Sequence, residues 1–274
     1  MELSEKIAVI TGAGSGIGQA VALEFSRARA KIVCCGRRES KLLETASLIQ
    51  EVGGEALVVP TDVTQKDQVD SMVTRTLEHF GRIDVLLNNA GSFSILGGLW
   101  EVDADLWWKD VETNLRGTML CCQAALPHMI KRDRGIIVNM SGGGAEAPMA
   151  GGSGYGCSKA AVLRLTDTLA AEVRRAGSSV MVFAMDPGFN RTAMTEGLAY
   201  MEGVDKWLPH VHRYLDMGDG NKPQDCARTM MELIRLAIPQ LSGRIFHVGM
   251  DIEKVAENAD EIYEKDLRVL RPRY

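Results

Sequence analysis

Tyr155 and Lys159 lie four residues apart at the opening of a long helical pattern, directly behind an apolar run that ends in Ser141. Residues at i and i+4 share one helical face, so the Lys159 ammonium can reach the Tyr155 phenol or a molecule docked beside it. A phenol and an ammonium at that spacing are candidates for proton transfer to or from an oxygen. A free phenol titrates near about 10 and is a poor base at neutral pH, whereas a neighbouring cation favours the phenolate. Lys159 is therefore expected to move Tyr155 toward useful acid–base behaviour. The bland alternative is a pair standing idle on a solvated helix.

The chain around the pair alternates strands and helices. Ile7–Ile10 is a short apolar run that breaks into Thr11-Gly12-Ala13-Gly14-Ser15-Gly16-Ile17-Gly18, and a helical pattern through Ala20, Val21, Leu23 and Phe25 follows. Glycines in such a turn adopt positive φ, let the backbone approach a pyrophosphate, and aim the N–H groups of a helix N-terminus at its charge. A second strand, Lys31–Cys35, runs into Gly36-Arg37-Arg38. In dinucleotide folds an acid at this place binds a ribose 2′-hydroxyl and a base neutralises a 2′-phosphate. With the acid missing and Arg37 and Arg38 present, NADP(H) is expected over NAD(H); the alternative is that both arginines only solvate a loop.

Further units follow: a helix over Glu39–Val52, a strand over Ala56–Val59, Thr61-Asp62-Val63, a helix over Gln65–His79 and a strand over Ile83–Leu87. Gly81, Gly135 and Gly177 each stand between a helical pattern and an apolar run, as glycines just past a helix end do. Asn88-Asn89-Ala90-Gly91 closes the fourth strand with small and amide residues suited to a wall under a cofactor. An apolar loop, Phe93–Leu99, leads to one long helix, about Ala104 to Ile130, with Asn114 inside it. A mid-helix Asn is commonly a tolerated surface residue; one that disturbs the helix frees a carbonyl to bind water. Ile136–Met140 is the fifth strand and delivers Ser141. The Tyr155 helix runs to about Ala176, with a small-residue face at Ala160, Ala161, Leu165, Leu169 and Ala170.

Val180–Met185 is a sixth strand, followed by Asp186-Pro187-Gly188-Phe189-Asn190-Arg191-Thr192. Ala193–Lys222 lacks strong periodicity and reads as a lid of short helices. Its Met194, Leu198, Tyr200, Met201, Trp207, Leu208, Val211, Tyr214, Leu215 and Met217 either line an apolar pocket or pack the lid onto the body. A helix over Pro223–Ala237 and a strand over Gly243–Val248 complete the sheet. Repeated βα units with near-continuous apolar strands imply a doubly wound parallel sheet of about seven strands covered by helices on both faces. Residues 1–251 are expected to form one catalytic domain, with the lid at about 193–222. Residues 252–274 are expected to add an amphipathic helix with Ile252, Val255, Ala259, Ile262 and Tyr263 on one face and an end carrying Arg268, Arg271 and Arg273.

The totals narrow the function. The 274 residues carry 31 Lys plus Arg and 36 Asp plus Glu, a net charge of −5, with no basic footprint for nucleic acid or an anionic membrane. No apolar stretch is long enough to span a bilayer, and Met1–Lys6 has no signal-peptide pattern. The six cysteines, at 34, 35, 121, 122, 157 and 226, show no paired framework and read as reduced thiols of a cytoplasmic protein. Cys157 could be a nucleophile, but no His lies near it in sequence, so the inert reading is preferred. The five His show no metal-ligand spacing, and no metal is expected.

In order, these pieces resemble the short-chain dehydrogenase/reductase family over about residues 5 to 250. The family's T-G-x-x-x-G-x-G turn is matched by Thr11 to Gly18, its Asp-Val near the adenine by Asp62-Val63, its N-N-A-G by Asn88 to Gly91, and its catalytic Asn, Ser, Tyr and Lys by Asn114, Ser141, Tyr155 and Lys159. The spacing of Gly12 and Gly16 is similar to the single-domain oxidoreductase branch. The resemblance implies a Rossmann-like fold, a dinucleotide held by Gly12, Ser15, Gly16, Ile17, Gly18, Arg37, Arg38, Asp62, Val63, Asn89, Ala90, Gly91, Tyr155, Lys159, Pro187, Gly188 and Thr192, and hydride transfer between a carbonyl and a secondary alcohol. It further implies that Ser141 binds the reacting oxygen, that Lys159 holds the nicotinamide ribose, that Asn114 holds a relay water, and that the protein is a homodimer or homotetramer. The substrate is expected to be small and fairly apolar. Two departures stand out: Asn190 replaces a customary aliphatic residue, and more than 20 residues follow the last strand. The rival function is a cofactor-binding regulatory or structural subunit without turnover, which predicts damage among the four catalytic positions; all four are intact.

Overall fold

The computed structural model describes residues 2–218 and 220–271. Seven strands, Ile7–Thr11 (β1), Lys31–Gly36 (β2), Ala56–Pro60 (β3), Val85–Asn88 (β4), Ile136–Met140 (β5), Met181–Asp186 (β6) and Ile245–His247 (β7), form one sheet in the order β3-β2-β1-β4-β5-β6-β7. Every pairing is parallel. The expected doubly wound parallel sheet is thus the observed one.

Why the strands read as continuous apolar runs is visible in the packing. Along β1, Ala8 and Ile10 join the core on one face, while Ile7 and Val9 join the core on the other. The first face is covered by helices Gly16–Arg27 (α1), Glu39–Glu51 (α2) and Pro223–Arg235 (α10), through Val21, Phe25, Leu42, Met230 and Leu233. The second is covered by Lys66–Phe80 (α3), Gly117–Lys131 (α5) and Ser153–Arg175 (α6), through Met72, Leu120, Met129 and Val173. Phe183 and Phe246 meet edge to face at 5.7 Å, both fully buried. Burying each such ring stabilises the fold by about 1.5–3 kcal/mol. Where β1, β4 and α5 meet, the buried Asp84 carboxylate accepts from Ile7 N, Arg82 Nε and Arg132 Nη2. Burial works to raise its pKa, but these donors outweigh burial and hold the carboxyl below its ordinary value.

After β3 the chain returns to the middle of the sheet, placing β4 beside β1 on the side opposite β2. Connections leaving β1 and β4 diverge, and the crevice outside their carboxyl ends is where ligands bind in open α/β sheets.

Local expectations meet corrections at two places in the chain. Gly81 and Gly177 take the left-handed conformation, with φ of 76° and 72°, but Gly135 does not; Asp133, φ 49°, makes that turn instead. Gly135 serves packing, since a Cβ there would lie 2.6 Å from Met129 Sδ. The single helix expected over 104–130 is interrupted. Ala104–Val111 (α4) passes into a π-helical turn, Glu112–Arg116, centred on Asn114, before α5 begins. Asn114 is fully buried, which excludes the reading as a surface residue.

The lid comprises Ala193–Leu198 (α7), Val204–Trp207 (α8) and His210–Met217 (α9). Leu198, Val204, Leu208 and Val211 are buried against Phe93 and Leu96, so this set packs the lid onto the body, Met194 lines the cleft, and Tyr200 and Met217 are exposed and do neither. The tail forms two short helices, Ile252–Glu257 (α11) and Ala259–Glu264 (α12), meeting at Asn258. Ile252, Val255, Ala259 and Ile262 join the chain's own core, and Ile245 N donates to Arg268 O at 2.9 Å. Tyr263 stays half exposed under the Arg174 guanidinium, 5.3 Å from its ring centre. The expected contribution of Arg273 lies outside the described residues.

Candidate active site

One cleft runs along the carboxyl ends of β1, β2, β4 and β5. Of the residues singled out from sequence, Gly12, Ser15, Gly16, Ile17, Arg37, Arg38, Asp62, Val63, Asn89, Ala90, Gly91, Ser141, Tyr155, Lys159, Pro187 and Thr192 line it. Asn114 and Gly18 are buried behind that surface, and Gly188 is exposed outside it.

At the glycine turn, Gly12 and Gly16 have φ of 68° and 57°. Gly18 answers a different need: a Cβ on it would lie 2.3 Å from the Gly12 carbonyl oxygen and 2.6 Å from Asn89 Nδ2. This close approach lets Asn89 Nδ2 donate to Thr11 O at 2.9 Å, pinning β4 to the turn after β1. Thr11 Oγ1 accepts from Asn89 N and Ala90 N, both at 3.0 Å. The N-terminus of α1 has no acidic residue in its first turn and no side-chain cap from Ser15. Main-chain N–H groups at such an end favour an anion.

Arg37 and Arg38 are exposed at the end of β2, and among the described residues neither guanidinium takes part in a hydrogen bond or ion pair. Asp62 Oδ1 accepts from Thr64 N and Thr64 Oγ1. At the far end, Gly188 N donates to Asp186 Oδ1, and Thr192 caps α7 and contacts the turn, since a Cβ on Gly16 would lie 3.0 Å from Thr192 Cγ2. Asn190, the departure noted above, is buried and donates to Pro187 O at 2.6 Å, so it braces the Pro187-Gly188 corner.

The four candidate catalytic residues come from three elements. Ser141 follows β5 and is held by Ser141 N donating to Met185 O; its Oγ is buried and unpartnered among the described residues. Tyr155 sits in the first turn of α6 with its hydroxyl against the chain just past Ser141: a Cβ on Gly142 would lie 2.5 Å from Tyr155 Oη. Lys159, one turn on, is 3% exposed, donates to Met140 O at 3.0 Å and lies 5.5 Å from the centre of the Tyr155 ring. Asn114 reaches the same place from the π turn. Its Oδ1 accepts from Ser92 N at 2.8 Å, its Nδ2 donates to Ser92 O and Ser158 Oγ, and its carbonyl accepts from Thr118 Oγ1. A Cβ on Gly91 would touch both Asn114 Oδ1 at 3.1 Å and Lys159 Nζ at 3.6 Å. The tetrad read from sequence is brought together in space.

The electrostatics run against one expectation. Tyr155 is pushed up from its ordinary value, first by burial and then by the charges of Asp186 and Asp110, although part of its surface still faces the cleft. In the protein alone the phenol is held protonated. Burial pulls Lys159 down to about 8, opposed by the same two carboxylates.

Several residues of the site escaped the sequence reading. Lys41, Thr61, Thr113, Met140 and Ala193 also line the cleft. Phe93 stacks on Tyr155, ring centres 4.8 Å apart and planes 9° apart. Glu146, Asp186 and His247 bring their ligating atoms within 4.8 Å of one another, with His247 Nε2 2.6 Å from Glu146 Oε1. They come from segments far apart in the chain, so no local spacing could reveal them. Asp110 carried a signal, standing at i−4 from Asn114 on one helical face. Five cysteines are buried and Cys157 is exposed.

Residues 6–203 match the short chain dehydrogenase family. An uncharacterized oxidoreductase of Staphylococcus epidermidis is 37% identical over 201 residues, which cover 73% of this chain and 85% of that protein. A variant of actinorhodin polyketide ketoreductase with NADPH superposes with a TM-score of 0.82 at 28% identity, over 90% of this chain and 97% of that one. The 3-ketoacyl-(acyl-carrier-protein) reductase of Brucella melitensis complexed with NADH does so with a TM-score of 0.78 at 28% identity, again over 90% and 97%. With the glycine turn, the switch-point cleft and the assembled tetrad in the same chain, this protein belongs to the short-chain dehydrogenase/reductase family of oxidoreductases, whose members bind NAD(P)(H).

Proposed function

We propose that the protein is an NADP(H)-preferring carbonyl reductase or alcohol dehydrogenase, interconverting a small to medium, fairly apolar ketone and its secondary alcohol with Tyr155 as acid/base. The observation that carries this reading is the Ser141 hydroxyl, buried without a partner among the described residues in the cleft shared with Tyr155 and Lys159. Leaving such a group unsatisfied costs about 1–3 kcal/mol, and the oxygen of a carbonyl or carbinol would satisfy it.

The cleft fits a dinucleotide. The left-handed glycines and the uncapped N-terminus of α1 suit a pyrophosphate. Arg37 and Arg38 suit a 2′-phosphate, Asp62 and Val63 the adenine, Asn89 to Gly91 the wall beneath, and Pro187, Gly188 and Thr192 the carboxamide end. When bound, the nicotinamide supplies or accepts the hydride. Tyr155, held protonated by its surroundings, gives its proton to the carbonyl oxygen in reduction; in oxidation it must first lose that proton, and the phenolate then takes one from the alcohol. Ser141 Oγ–H donates to that oxygen. Charged Lys159 keeps its hold on Met140 O and presents its remaining donors to the ribose hydroxyls. Asn114 offers its main-chain carbonyl, which also accepts from Thr118 Oγ1, to a relay water.

Phe93, Phe189, Met149 and Met194 beside the tetrad favour an apolar substrate. Half-exposed Ala161 and Leu165 on α6, with exposed Trp108 on α4, supply the apolar surface for a homodimer or homotetramer. We take residues 1–251 as one catalytic domain and 252–274 as its C-terminal helical tail, of which the described part docks on that domain. No described helix is long and apolar enough to cross a membrane, and the unpaired thiols fit a cytoplasmic setting.

A panel of aliphatic ketones, cyclic diketones, aryl ketones and secondary alcohols, run with each cofactor and followed by nicotinamide absorbance, tests this reading. Reduction of an apolar carbonyl, faster with NADPH, is the expected result. Tight NADPH binding with no turnover of any panel member would instead favour the non-catalytic subunit.

A further inference from the structure

Asp110 has no ion-pair partner among the described residues, yet its side chain is fully buried. An unpaired carboxylate in a protein interior is costly, and an apolar residue at this helical position would serve the core better. Its hydrogen bonds indicate what the charge does. Oδ1 accepts from Ser92 Oγ at 2.7 Å and Ser94 N at 2.8 Å, and Oδ2 accepts from Ser94 N at 2.9 Å. One turn further along the same face, Asn114 takes both the N–H and the carbonyl of Ser92. The two side chains therefore grip the chain on either side of Phe93. That residue, 9% exposed, lies flat on Tyr155. The same network reaches the tyrosine a second way, through Asn114 Nδ2 to Ser158 Oγ and from Ser158 Oγ to Tyr155 O.

We propose that Asp110 is a positioning residue for the proton-transferring tyrosine: its carboxylate clamps the Ser92–Ser94 turn, so that Phe93 is pressed onto the Tyr155 ring, and its charge acts on Tyr155 and Lys159. The inference rests on the reading of Tyr155 as acid/base. It adds a residue that touches neither substrate nor cofactor and acts through Phe93 and through its field. The charged groups acting on the pair are Asp110 from α4 and Asp186 from β6, with Glu146 and His247 grouped around Asp186. Asp110→Asn changes the first alone. Because the Asp110 charge works to raise both pKa values, its removal lowers both.

The experiment compares full-length wild type, Asp110→Asn, Phe93→Leu, Phe93→Trp and Tyr155→Phe over a pH series. The probe is the panel carbonyl of highest kcat/KM with NADPH, and each melting temperature is recorded. Asp110→Asn is expected to lower kcat by about 10-fold or more, given that misplacing a reacting group by about 1 Å costs up to about 10²-fold. Its KM for NADPH should stay as in wild type, and the alkaline limb of its profile should move to lower pH. Phe93→Leu should lower kcat without moving the limb, and Phe93→Trp, which can keep the stack, should restore much of it. A wild-type kcat and limb in Asp110→Asn overturn the proposal, as does a uniform loss with an unmoved limb. If Asp110→Asn does not fold, a wild-type kcat in Phe93→Leu overturns it, and loss in Phe93→Leu with recovery in Phe93→Trp upholds it. Full turnover in Tyr155→Phe, or a panel with no substrate, overturns the acid–base reading and this inference together. An inactive Tyr155→Phe beside wild-type-like Asp110→Asn and Phe93→Leu removes this inference only.

Discussion

Lys159 Nζ donates to the main-chain carbonyl of Met140 at 3.0 Å, so the helix that carries Tyr155 is tied to the strand end that delivers Ser141. The ammonium form of Lys159 makes that bond charge-assisted, and burial has brought the release of its proton down to about 8. Tyr155 moves the other way, so on raising the pH the amine titrates before the phenol. In the reductive direction, kcat/KM is expected to be level below pH about 8 and to fall above it. Steady-state rates across the alkaline range check this, and a level profile up to the titration of free lysine would contradict it.

The same burial links activity to stability. Lys159 titrates at about 8 in the fold against 10.5 in the unfolded chain, so folding penalises the charged form. The cost is present in full below pH about 8 and fades as pH rises toward 10.5. The difference corresponds to roughly 3 kcal/mol at most, less the loss of the bond to Met140. Lys159→Met should therefore melt about 2–8 °C higher than wild type at neutral pH, lose that advantage at high pH, and be inactive. Thermal unfolding at several pH values measures it; a lower melting point at neutral pH would contradict the balance.

Gly18→Ala tests the contact between α1 and the turn after β1. The added methyl group meets the Gly12 carbonyl oxygen at 2.3 Å, main-chain material that cannot step aside. Overpacking of this kind costs about 1–3 kcal/mol. Dinucleotide affinity should fall along with the melting point, because displacing Gly12 breaks the bond from Asn89 to Thr11 O. NADPH fluorescence titration with parallel melting checks both, and unchanged affinity would show that the turn does not hold the cofactor.

Arg37→Asp separates the two cofactors. With no intramolecular partner among the described residues, Arg37 is available for a 2′-phosphate, and a charge-assisted bond lost there is worth about 1.5–3 kcal/mol, or roughly 10- to 100-fold in affinity. NADPH binding should weaken by that factor and NADH binding hardly at all. Equal losses for both would reassign Arg37 to the surface of the loop.

Much of the architecture was legible because its causes are local. Strands buried on both faces, such as Ile7–Thr11, must be apolar throughout, and a glycine turn between such a strand and a helix has few other uses. Boundaries shifted where tertiary contacts decide. The break at Asn114 follows from its side chain reaching across to Ser92 and Ser158, far away in sequence. Gly135 resembled a helix-ending glycine but is set by the bulk of Met129. Within the site, residue types named the tetrad, yet the field acting on it comes from Asp110 and Asp186, whose proximity only the folded chain creates. The lid was legible as a segment; that Leu198, Leu208 and Val211 close against Phe93, while Met194 turns to the cleft, depends on the path between short helices that periodicity does not encode.

The central claim is that the Tyr155 hydroxyl moves the proton, and Tyr155→Phe removes that oxygen while leaving a ring to stack on Phe93. Single-turnover reduction of the best panel carbonyl, with NADPH affinity measured alongside, should show a rate lower by about 10²- to 10⁴-fold and cofactor binding intact. An undiminished rate with the cofactor bound would contradict the account.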